Sequence, residues 1–440
     1  MKHANNKSFD KIFFICFCVA ICFFFYLLGI SSVKWKVQPY PALENAFQAG
    51  KALIEKLKTV DPFESSFYHI ATHEKTGVIH HNDTKTYSGL TFYSYGLDQK
   101  AVLIDMDGKI VHQWYLPFSK VWSNPPHIKL PVSDHLINMI APYLYSNGDI
   151  LGIYATDRDT PYGYGLVKMD KDSNIIWKYP GRAHHDADVD IDGNVFVLTH
   201  EMRKQKIANV KVKPPVMDDY IVVLSRDGKE IEKVSITDAF AESKFSDVLE
   251  NLNNWDLWHT NNIDVLGEND LKVFPFLKKR CVLISMKSVD AIAVIDLKSK
   301  KVIWATRGPW LGQHDADFLE KGNLLVFDNK GHYGEGGRSR VIEFDPQSLE
   351  IMWEYTGDII NPFFSAIRSS QQRLLNGNTL ITESDNGRIF EVTRDKKIVW
   401  SYRIPYRVPG ETKTTAVALR AQRFKKEELD FTFNKGNMAK

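Results

Sequence analysis

Three histidines occupy the same position in three successive copies of an internal repeat. Each stands eight residues before a turn glycine, and the pairs are His185 with Gly193, His259 with Gly267 and His314 with Gly322. An imidazole can act as nucleophile, acid or base at neutral pH, because its unperturbed pKa is about 6.5. If the repeat closes into a ring, equivalent positions meet at one place, and these imidazoles form a candidate site.

The repeat itself consists of short apolar strands separated by polar turns, a pattern typical of β-hairpins. A tryptophan closes five of the copies, at Trp114, Trp177, Trp304, Trp353 and Trp400, and Val234 takes that place in another copy. Units of roughly 40–50 residues with four strands each form the blades of a β-propeller. We therefore predict an all-β, six-bladed β-propeller over residues 88–405. Five or seven blades are the alternatives, because the first copy is irregular.

In a propeller the innermost strand of each blade lines the central channel. The histidine position lies at the start of that strand, so its equivalents should surround one mouth of the channel. The second copy has Ile140 there and the sixth has Ser369, which makes the predicted ring asymmetric and mostly polar. His184 precedes His185, and either of the two can be the residue that faces the channel.

The N-terminal part differs in composition from the repeat region. Residues 12–33 are an uncharged apolar run of 22 residues, which is long enough to span a bilayer. Lysines outnumber acidic residues in residues 1–11, so we expect these in the cytoplasm. A single-pass, uncleaved anchor is favoured, and a cleaved signal peptide is the alternative. Both interpretations place the propeller on the extracytoplasmic, periplasmic side.

Two further segments flank the predicted propeller. Residues 34–87 are predicted to be a linker with a short helix over residues 41–59, where apolar residues recur at helical spacing. Residues 406–440 are predicted to be a peripheral C-terminal tail, helix-prone around residues 416–429. Positive and negative side chains number 56 and 54, and no basic stripe is present, so nucleic acid is not expected as a partner.

The motifs around the three histidines together resemble the arylsulfotransferase family, bacterial six-bladed propellers that transfer a sulfuryl group between phenols. The resemblance rests on five segments: His184-His185-Asp186, Trp258-His259-Thr260-Asn261, Gly312-Gln313-His314-Asp315, residues 368–381 and residues 387–392. It covers about residues 88–405. The resemblance implies a PAPS-independent enzyme with an aryl sulfate donor and a phenolic acceptor. It implies no metal and no organic cofactor.

The resemblance also implies roles for individual residues. His314 corresponds to the nucleophile, which becomes transiently sulfated, and two more histidines and an asparagine assist. An arginine of the family is replaced here by Lys287, which keeps the charge but loses the planar fork. The predicted catalytic residues are therefore His314, His259, His185, Lys287 and Asn261. The predicted substrate-binding residues are His184, Ser369, Arg368 and Arg373.

Two other functions fit the same residues. A propeller can bind a ligand at its channel without catalysis, since a fold does not fix a function. Three converging histidines also satisfy the ligand count of an open zinc or copper site. The oligomeric state is left open, with a homo-oligomer among the alternatives.

Overall fold

The computed structural model describes residues 4–35, 65–267, 274, 277, 280–331, 338–408 and 413–433. The chain divides into two compact units, Met1–Ser65 and Ser66–Lys440. The first unit contains helix α1 (Ala4–Trp35). Its segment Phe13–Trp35 is long and apolar enough to cross a membrane, a property that signal sequences share. The predicted linking helix over residues 41–59 lies outside the described residues.

The second unit is a six-bladed β-propeller, which confirms the predicted fold class. Its two short α-helices are α2 (Phe118–Val121) and α3 (Ile236–Ala241). Single 3₁₀ turns cover Asp134–Leu136, Ser246–Asn251, Lys287–Val289 and Lys426–Glu428. Its strands, in chain order, are β1 (Tyr68–Ile70), β2 (Gly77–His81), β3 (Leu90–Tyr95), β4 (Lys100–Ile104), β5 (Ile110–Tyr115), β6 (Asn138–Leu144), β7 (Ile150–Ala155), β8 (Gly163–Met169), β9 (Ile175–Tyr179), β10 (Ala183–Val189), β11 (Val195–Arg203), β12 (Val216–Leu224), β13 (Glu230–Ser235), β14 (Thr260–Val265), β15 (Cys281–Met286), β16 (Ala291–Asp296), β17 (Lys301–Arg307), β18 (His314–Phe318), β19 (Leu324–Asp328), β20 (Arg340–Phe344), β21 (Ile351–Tyr355), β22 (Ser370–Arg373), β23 (Thr379–Glu383), β24 (Arg388–Val392), β25 (Ile398–Arg403), β26 (Thr414–Ala416) and β27 (Ala418–Phe424).

Four blades are built from consecutive strands, and two are completed from elsewhere in the chain. Blades two to five are the antiparallel sheets β6–β9, β10–β13, β14–β17 and β18–β21. Blade six contains β22–β25, with β2 paired to the outer edge of β25. Blade one contains β3–β5, with β27 as its innermost strand. The propeller therefore extends beyond residues 88–405 at both ends.

The position of β27 corrects the prediction of a peripheral, helix-prone tail. Residues 418–424 pair with β3 in an antiparallel register, with Ala421 opposite Tyr93. Without β27, β3 would leave a row of unpaired backbone groups at the channel, and an unpaired edge favours the addition of a strand. Burial of Ala418 and Ala421 in the core completes the contact. Tertiary pairing thus overrides the helix propensity of this segment.

The repeated tryptophans join neighbouring blades. Four of the five sit on the fourth strand of their blade and donate the indole N–H to a carbonyl in a hairpin turn of the next blade. The pairs at 2.9 to 3.1 Å are Trp114 with Gly148, Trp177 with Arg226, Trp353 with Arg394 and Trp400 with Met106. The last pair crosses from blade six to blade one, so it also closes the ring.

Side chains on the inner strands make a second set of contacts between blades. In each contact, a carboxylate or amide oxygen accepts a hydrogen bond from a backbone N–H of the next inner strand. The pairs are Asp186 with Ile263, Asp188 with Val265, Asn262 with Ala316, Asp264 with Phe318 and Asp315 with Gln371, at 2.8 to 3.2 Å. These bonds fix the spacing of the strands that carry the histidines.

Candidate active site

One cavity of about 430 Å³ lies where the inner strands begin. His185, His259 and His314 all line it, although they come from three different blades. Lys287, Asn261, Arg368 and Ser369 line the same cavity. The predicted convergence of the three imidazoles is therefore present in the structure.

Irregular backbone directs these side chains into the cavity. The pairing of β10 with β11, of β14 with β15 and of β18 with β19 is interrupted by a bulge near each histidine. His185 and His259 have φ values of 52° and 47°, and Asp315, which follows His314, has a φ of 52°. Bulges re-aim side chains, and left-handed backbone in non-glycine residues is typical of functional sites.

The tautomer of His314 is fixed by Asn329. The amide nitrogen of Asn329 donates to the carbonyls of Ser365 and Arg368, at 2.9 and 2.8 Å. Its oxygen therefore faces Nδ1 of His314, 2.7 Å away, and the Gly312 carbonyl lies 3.1 Å from the same nitrogen. Since both neighbours are acceptors, Nδ1 carries the proton. The lone pair is then on Nε2, which accepts a long bond of 3.3 Å from the Arg368 backbone N–H.

His314 is held in its neutral form. Burial lowers the pKa of His314 to about 3, and the nearby positive charge of Lys287 adds to the decrease. A neutral imidazole with an available Nε2 lone pair is a nucleophile at neutral pH.

His259 lies against a carboxylate, as in catalytic dyads. Its Nδ1 is 2.5 Å from Oδ2 of Asp256, a buried residue that also lines the cavity. This contact leaves Nε2 of His259 as the nitrogen available to a ligand. The rings of His259 and His185 are 4.8 Å apart between centroids. The arrangement suits proton transfer or hydrogen bonding to a bound oxygen.

Of the two adjacent histidines, His185 faces the cavity. His184 does not line it; its ring is fully buried and stacks on His200, with centroids 4.5 Å apart. Nδ1 of His184 lies 2.9 Å from Nδ1 of His185. His184, predicted as a substrate-binding residue, therefore lies behind His185 and outside the cavity lining.

The predicted cations divide between the cavity and the blades. Lys287 follows β15 and lines the cavity, where burial lowers its pKa and Lys330 adds to the decrease. Arg368 also lines it, with its guanidinium bound to the carbonyl and hydroxyl of Ser66, at 2.6 and 2.7 Å. Arg340, which is paired with Asp328, is not among the cavity residues.

Arg373, predicted as a substrate-binding residue, is not among the residues that line this cavity. Its guanidinium pairs with Glu343 at 2.8 Å and lies over the ring of Trp353. Arg373 is the last residue of β22, whereas Ser369 precedes that strand. Four residues of extended chain separate the two by about 13 Å, which places Arg373 near the opposite end of the strand.

Asn261 and Ser369 reach the cavity but already have partners. The amide nitrogen of Asn261 donates to the Gln313 carbonyl at 2.7 Å, and its buried oxygen has no hydrogen-bond partner. The Ser369 hydroxyl accepts from the Ser384 backbone N–H at 3.1 Å. Asn261 therefore orients the loop before His314 while it presents an unsatisfied acceptor.

Several site residues are missing from the sequence-based prediction. Asn329, Asp256, Tyr162 and Arg420 belong to this group. Arg420, on β27, pairs with Asp186 and, at 3.6 Å, with Asp315.

A second repeat position in the sequence could have indicated Asn329. His200, Asn329 and Ser384 each stand seven residues after a turn glycine, at Gly193, Gly322 and Gly377. This repeat position lies at the end of the second strand of a blade, next to the residue that begins the first strand of the same blade.

The geometry does not support the three-histidine metal site. Among the residues that the structure describes, the His/Cys/Asp/Glu group with ligand atoms all within 4.8 Å of one another consists of His184, His200 and Asp219. His185, His259 and His314 do not form such a group.

Comparison with known proteins gives one family. Residues 142–404, more than half of the chain, match the family described as Arylsulfotransferase (ASST). No curated protein has a significant match to the chain.

Solved structures resemble the chain at low identity. A protein of unknown function from Bacteroides caccae is 14% identical over 76% of this chain and 100% of its own, with a TM-score of 0.48. A streptogramin B lyase is 13% identical over 77% of this chain and 88% of its own, with a TM-score of 0.41. Virginiamycin B lyase from Staphylococcus aureus is 11% identical over 61% and 70%, with a TM-score of 0.35.

Proposed function

The chain belongs to the arylsulfotransferase family, and we propose that it transfers a sulfuryl group from an aryl sulfate to a phenol through a sulfated His314. The observation that carries this proposal is the Nε2 lone pair of His314. It is fixed by Asn329 and lies in a cavity that also contains Lys287 and two further imidazoles. A neutral nucleophile beside a cation fits an anionic sulfate ester.

In the first step Nε2 of His314 attacks the sulfur atom in line with the aryl oxygen. The N–S bond forms, the S–O bond to the aryl group breaks, and its electron pair leaves with the aryl oxygen. Sulfuryl transfer resembles phosphoryl transfer in requiring positioning and charge stabilisation. Lys287 supplies positive charge to the sulfuryl oxygens. The Asn329 oxygen and the Gly312 carbonyl accept from Nδ1–H as positive charge develops on the ring.

In the second step a phenol attacks the sulfur of sulfo-His314. The phenol loses its proton, the new S–O bond forms, and the N–S electron pair returns to Nε2. A cavity imidazole, His185 or His259, protonates the first phenolate and later removes the proton of the acceptor. Such acid–base assistance contributes typically 10²- to 10⁴-fold.

The walls of the cavity suit an aromatic ring. Apolar side chains of Ile140, Ile367 and Leu419 line it, and the half-exposed indole of Trp255 stands beside Asp256. Apolar lining with a few convergent polar groups is the usual composition of a small-molecule site. One such site serves donor and acceptor in turn, because the first phenol leaves before the second enters.

We also propose that α1 remains as a membrane anchor and that the propeller is periplasmic. The apolar segment Phe13–Trp35 and the lysines that precede it support this orientation. Carbonate extraction of membranes and protease accessibility of the propeller test the two statements separately.

Peptide mapping by mass spectrometry tests the function directly. The full chain is mixed briefly with 4-nitrophenyl sulfate, quenched at alkaline pH and digested. We expect one added SO₃ on the peptide that contains His314, with release of one equivalent of 4-nitrophenol, and chase of the label by added phenol. His314→Asn should abolish all three signals, whereas the distant His81→Asn should retain them. Binding of the sulfate without a covalent adduct would instead indicate a non-catalytic propeller.

A further inference from the structure

A buried histidine and a buried carboxylate stand in line behind His185. Nδ1 of His184 lies 2.9 Å from Nδ1 of His185, and Nε2 of His184 lies 3.5 Å from Oδ1 of Asp219. The side chains of His184 and Asp219 are fully buried. The sequence of groups from the cavity inward is therefore imidazole, imidazole, carboxyl.

Two atoms in this line lack a hydrogen bond of ordinary geometry, although the Thr199 backbone also interacts with the His184 ring. Nε2 of His184 and Oδ1 of Asp219 are both buried and make no hydrogen bond. The second oxygen of Asp219 accepts from the Thr260 backbone N–H at 2.8 Å, which fixes the carboxyl group. Buried polar atoms are nearly always paired, so the two unpaired atoms facing each other indicate a proton that they share.

A metal ion between these groups is a poorer explanation. His200 is the third member of the cluster, and its ring is nearly parallel to that of His184, with an angle of 14°. Each imidazole lone pair lies in the plane of its ring. Two stacked, parallel rings therefore cannot direct lone pairs to one ion at the usual Zn–N distance of about 2.0–2.1 Å.

The ionisation of the three groups favours a proton on the carboxyl. Burial raises the pKa of Asp219 well above its ordinary value, and the neighbouring Asp256 carboxylate raises it further. Burial lowers the pKa of His184 to about 3 and lowers that of His185 well below its ordinary value. A buried site disfavours charge, and these shifts favour the neutral form of all three groups in the resting state. A neutral His185 carries a single N–H proton, and it can release that proton without becoming an imidazolate only if a neighbour supplies another.

We propose that Asp219 and His184 form a proton relay that lets His185 act as the acid and base of the sulfuryl transfer. This inference rests on the proposed function and assigns a step within it. His185 carries a proton on Nε2, His184 on Nδ1 and Asp219 on Oδ1. His259, whose Nδ1 is held by Asp256, is left to contact the sulfuryl oxygens.

Each proton moves by one position when the donor is cleaved. Nε2–H of His185 passes to the departing phenolate, Nδ1–H of His184 passes to His185, and the carboxyl proton of Asp219 passes to Nε2 of His184. Both imidazoles exchange tautomers and remain neutral, and Asp219 becomes a carboxylate. In the second step the acceptor phenol returns its proton by the reverse route. No imidazolium is formed on His184 or His185.

The dependence of the rate on the leaving group tests the relay. We expect Asp219→Asn and His184→Gln to slow sulfation of His314 by about 100-fold or more with 4-methylphenyl sulfate, whose phenolate needs a proton. With 4-nitrophenyl sulfate, whose phenolate leaves without help, the loss should be under about threefold. His200→Gln is the control: it alters the ring stacked on His184 but not the relay, so its effect should be equal for both esters.

Equal losses with both esters in Asp219→Asn and His184→Gln would overturn the relay and leave the proposed function intact. Absence of sulfo-His314 in the unchanged protein would overturn both. A second measurement needs no variant: the rate with 4-methylphenyl sulfate in mixtures of H₂O and D₂O. Several protons in flight predict a curved dependence on deuterium fraction, and a straight line would contradict the relay.

Discussion

Oδ1 of Asn329 lies 2.7 Å from Nδ1 of His314, and the amide nitrogen of the same residue is bound to two backbone carbonyls. The amide cannot turn round without losing both of these bonds. It therefore acts as a fixed acceptor, which holds the His314 proton on Nδ1 and the lone pair on Nε2. Together with the Gly312 carbonyl, this contact leaves Nε2 as the nitrogen available for the proposed attack on sulfur.

Replacement of Asn329 should affect chemistry more than binding. In Asn329→Ala, His314 loses the closer of the two acceptors for Nδ1–H, and we expect sulfation of His314 to slow by about 100-fold, with little change in KM. Single-turnover release of 4-nitrophenol measures the rate. Ser339→Ala is the matched control, because the Ser339 hydroxyl donates to the backbone carbonyl of Asn329 and does not contact its side-chain amide. A loss confined to KM would contradict a role in orienting the nucleophile.

The rate of the first step, sulfation of His314, should not depend on pH through the ionisation of His314. Its pKa is lowered to about 3 by burial and by Lys287, so the reactive neutral form is already complete above about pH 4. We expect the single-turnover rate with 4-nitrophenyl sulfate to stay level from pH 5 to pH 8. A decrease on the acid side with a midpoint near 6.5, absent in a His185→Asn variant, would show that another histidine controls the step.

Lys287 should be required for its charge. We expect Lys287→Met to lower kcat/KM for an aryl sulfate by about 100-fold, since it removes a cation facing the sulfuryl oxygens. Lys287→Arg keeps the charge and should stay within about tenfold of the original value, because only the geometry of the donor changes. Lys330→Met is the control. Lys330 lowers the pKa of Lys287 but is not among the cavity residues. Equal losses of kcat/KM in the Lys287→Met and Lys330→Met variants would indicate that the overall positive potential matters, and not a direct contact of Lys287.

The buried His200 should lower stability in acid. Burial lowers its pKa well below 6.5, and the adjacent His184 ring and the Arg182 cation disfavour its protonated form further. The folded state thus excludes a proton that the unfolded state binds below pH 6.5. Above that pH the neutral His200 places no proton-linked cost on the free energy of unfolding. As pH falls, this free energy decreases by up to about 1.4 kcal/mol per pH unit because of His200. Urea unfolding of the unchanged protein and of His200→Gln at pH 7, 6 and 5 measures it. As pH falls, the unfolding free energy of the unchanged protein should decrease more than that of His200→Gln. A difference between the two that stays constant with pH would contradict the prediction.

The sequence predicted the fold and the centre of the site because both depend on a repeat. Strand, turn and tryptophan recur in register, and the inner strands of a propeller converge by symmetry. His185, His259 and His314 could therefore be assigned to one cavity from spacing alone. The sequence could not show which of His184 and His185 faces the cavity, because the backbone bulge with a φ of 52° at His185 decides which ring points into it.

Other residues depend on contacts that spacing does not encode. Asp219 on β12 meets His184 on β10 across the intervening strand β11, and its relevance appears only when the unpaired atoms are known. Arg373 was misplaced because composition shows a cation near Ser369 but not which end of β22 it occupies. The segment 418–424 has helix-forming residues, and only the open edge of β3 makes it a strand.

The pairing of β27 with β3 has a consequence for biosynthesis. Residues 418–424 leave the ribosome after the strands of the other five blades, yet they supply the wall that carries Arg420. Until then blade one lacks its inner strand, and the buried Asp186 and Asp315 lack their counter-ion Arg420. A nascent or prematurely terminated chain accordingly lacks part of the pocket wall, so the complete cavity exists only once translation has passed this segment.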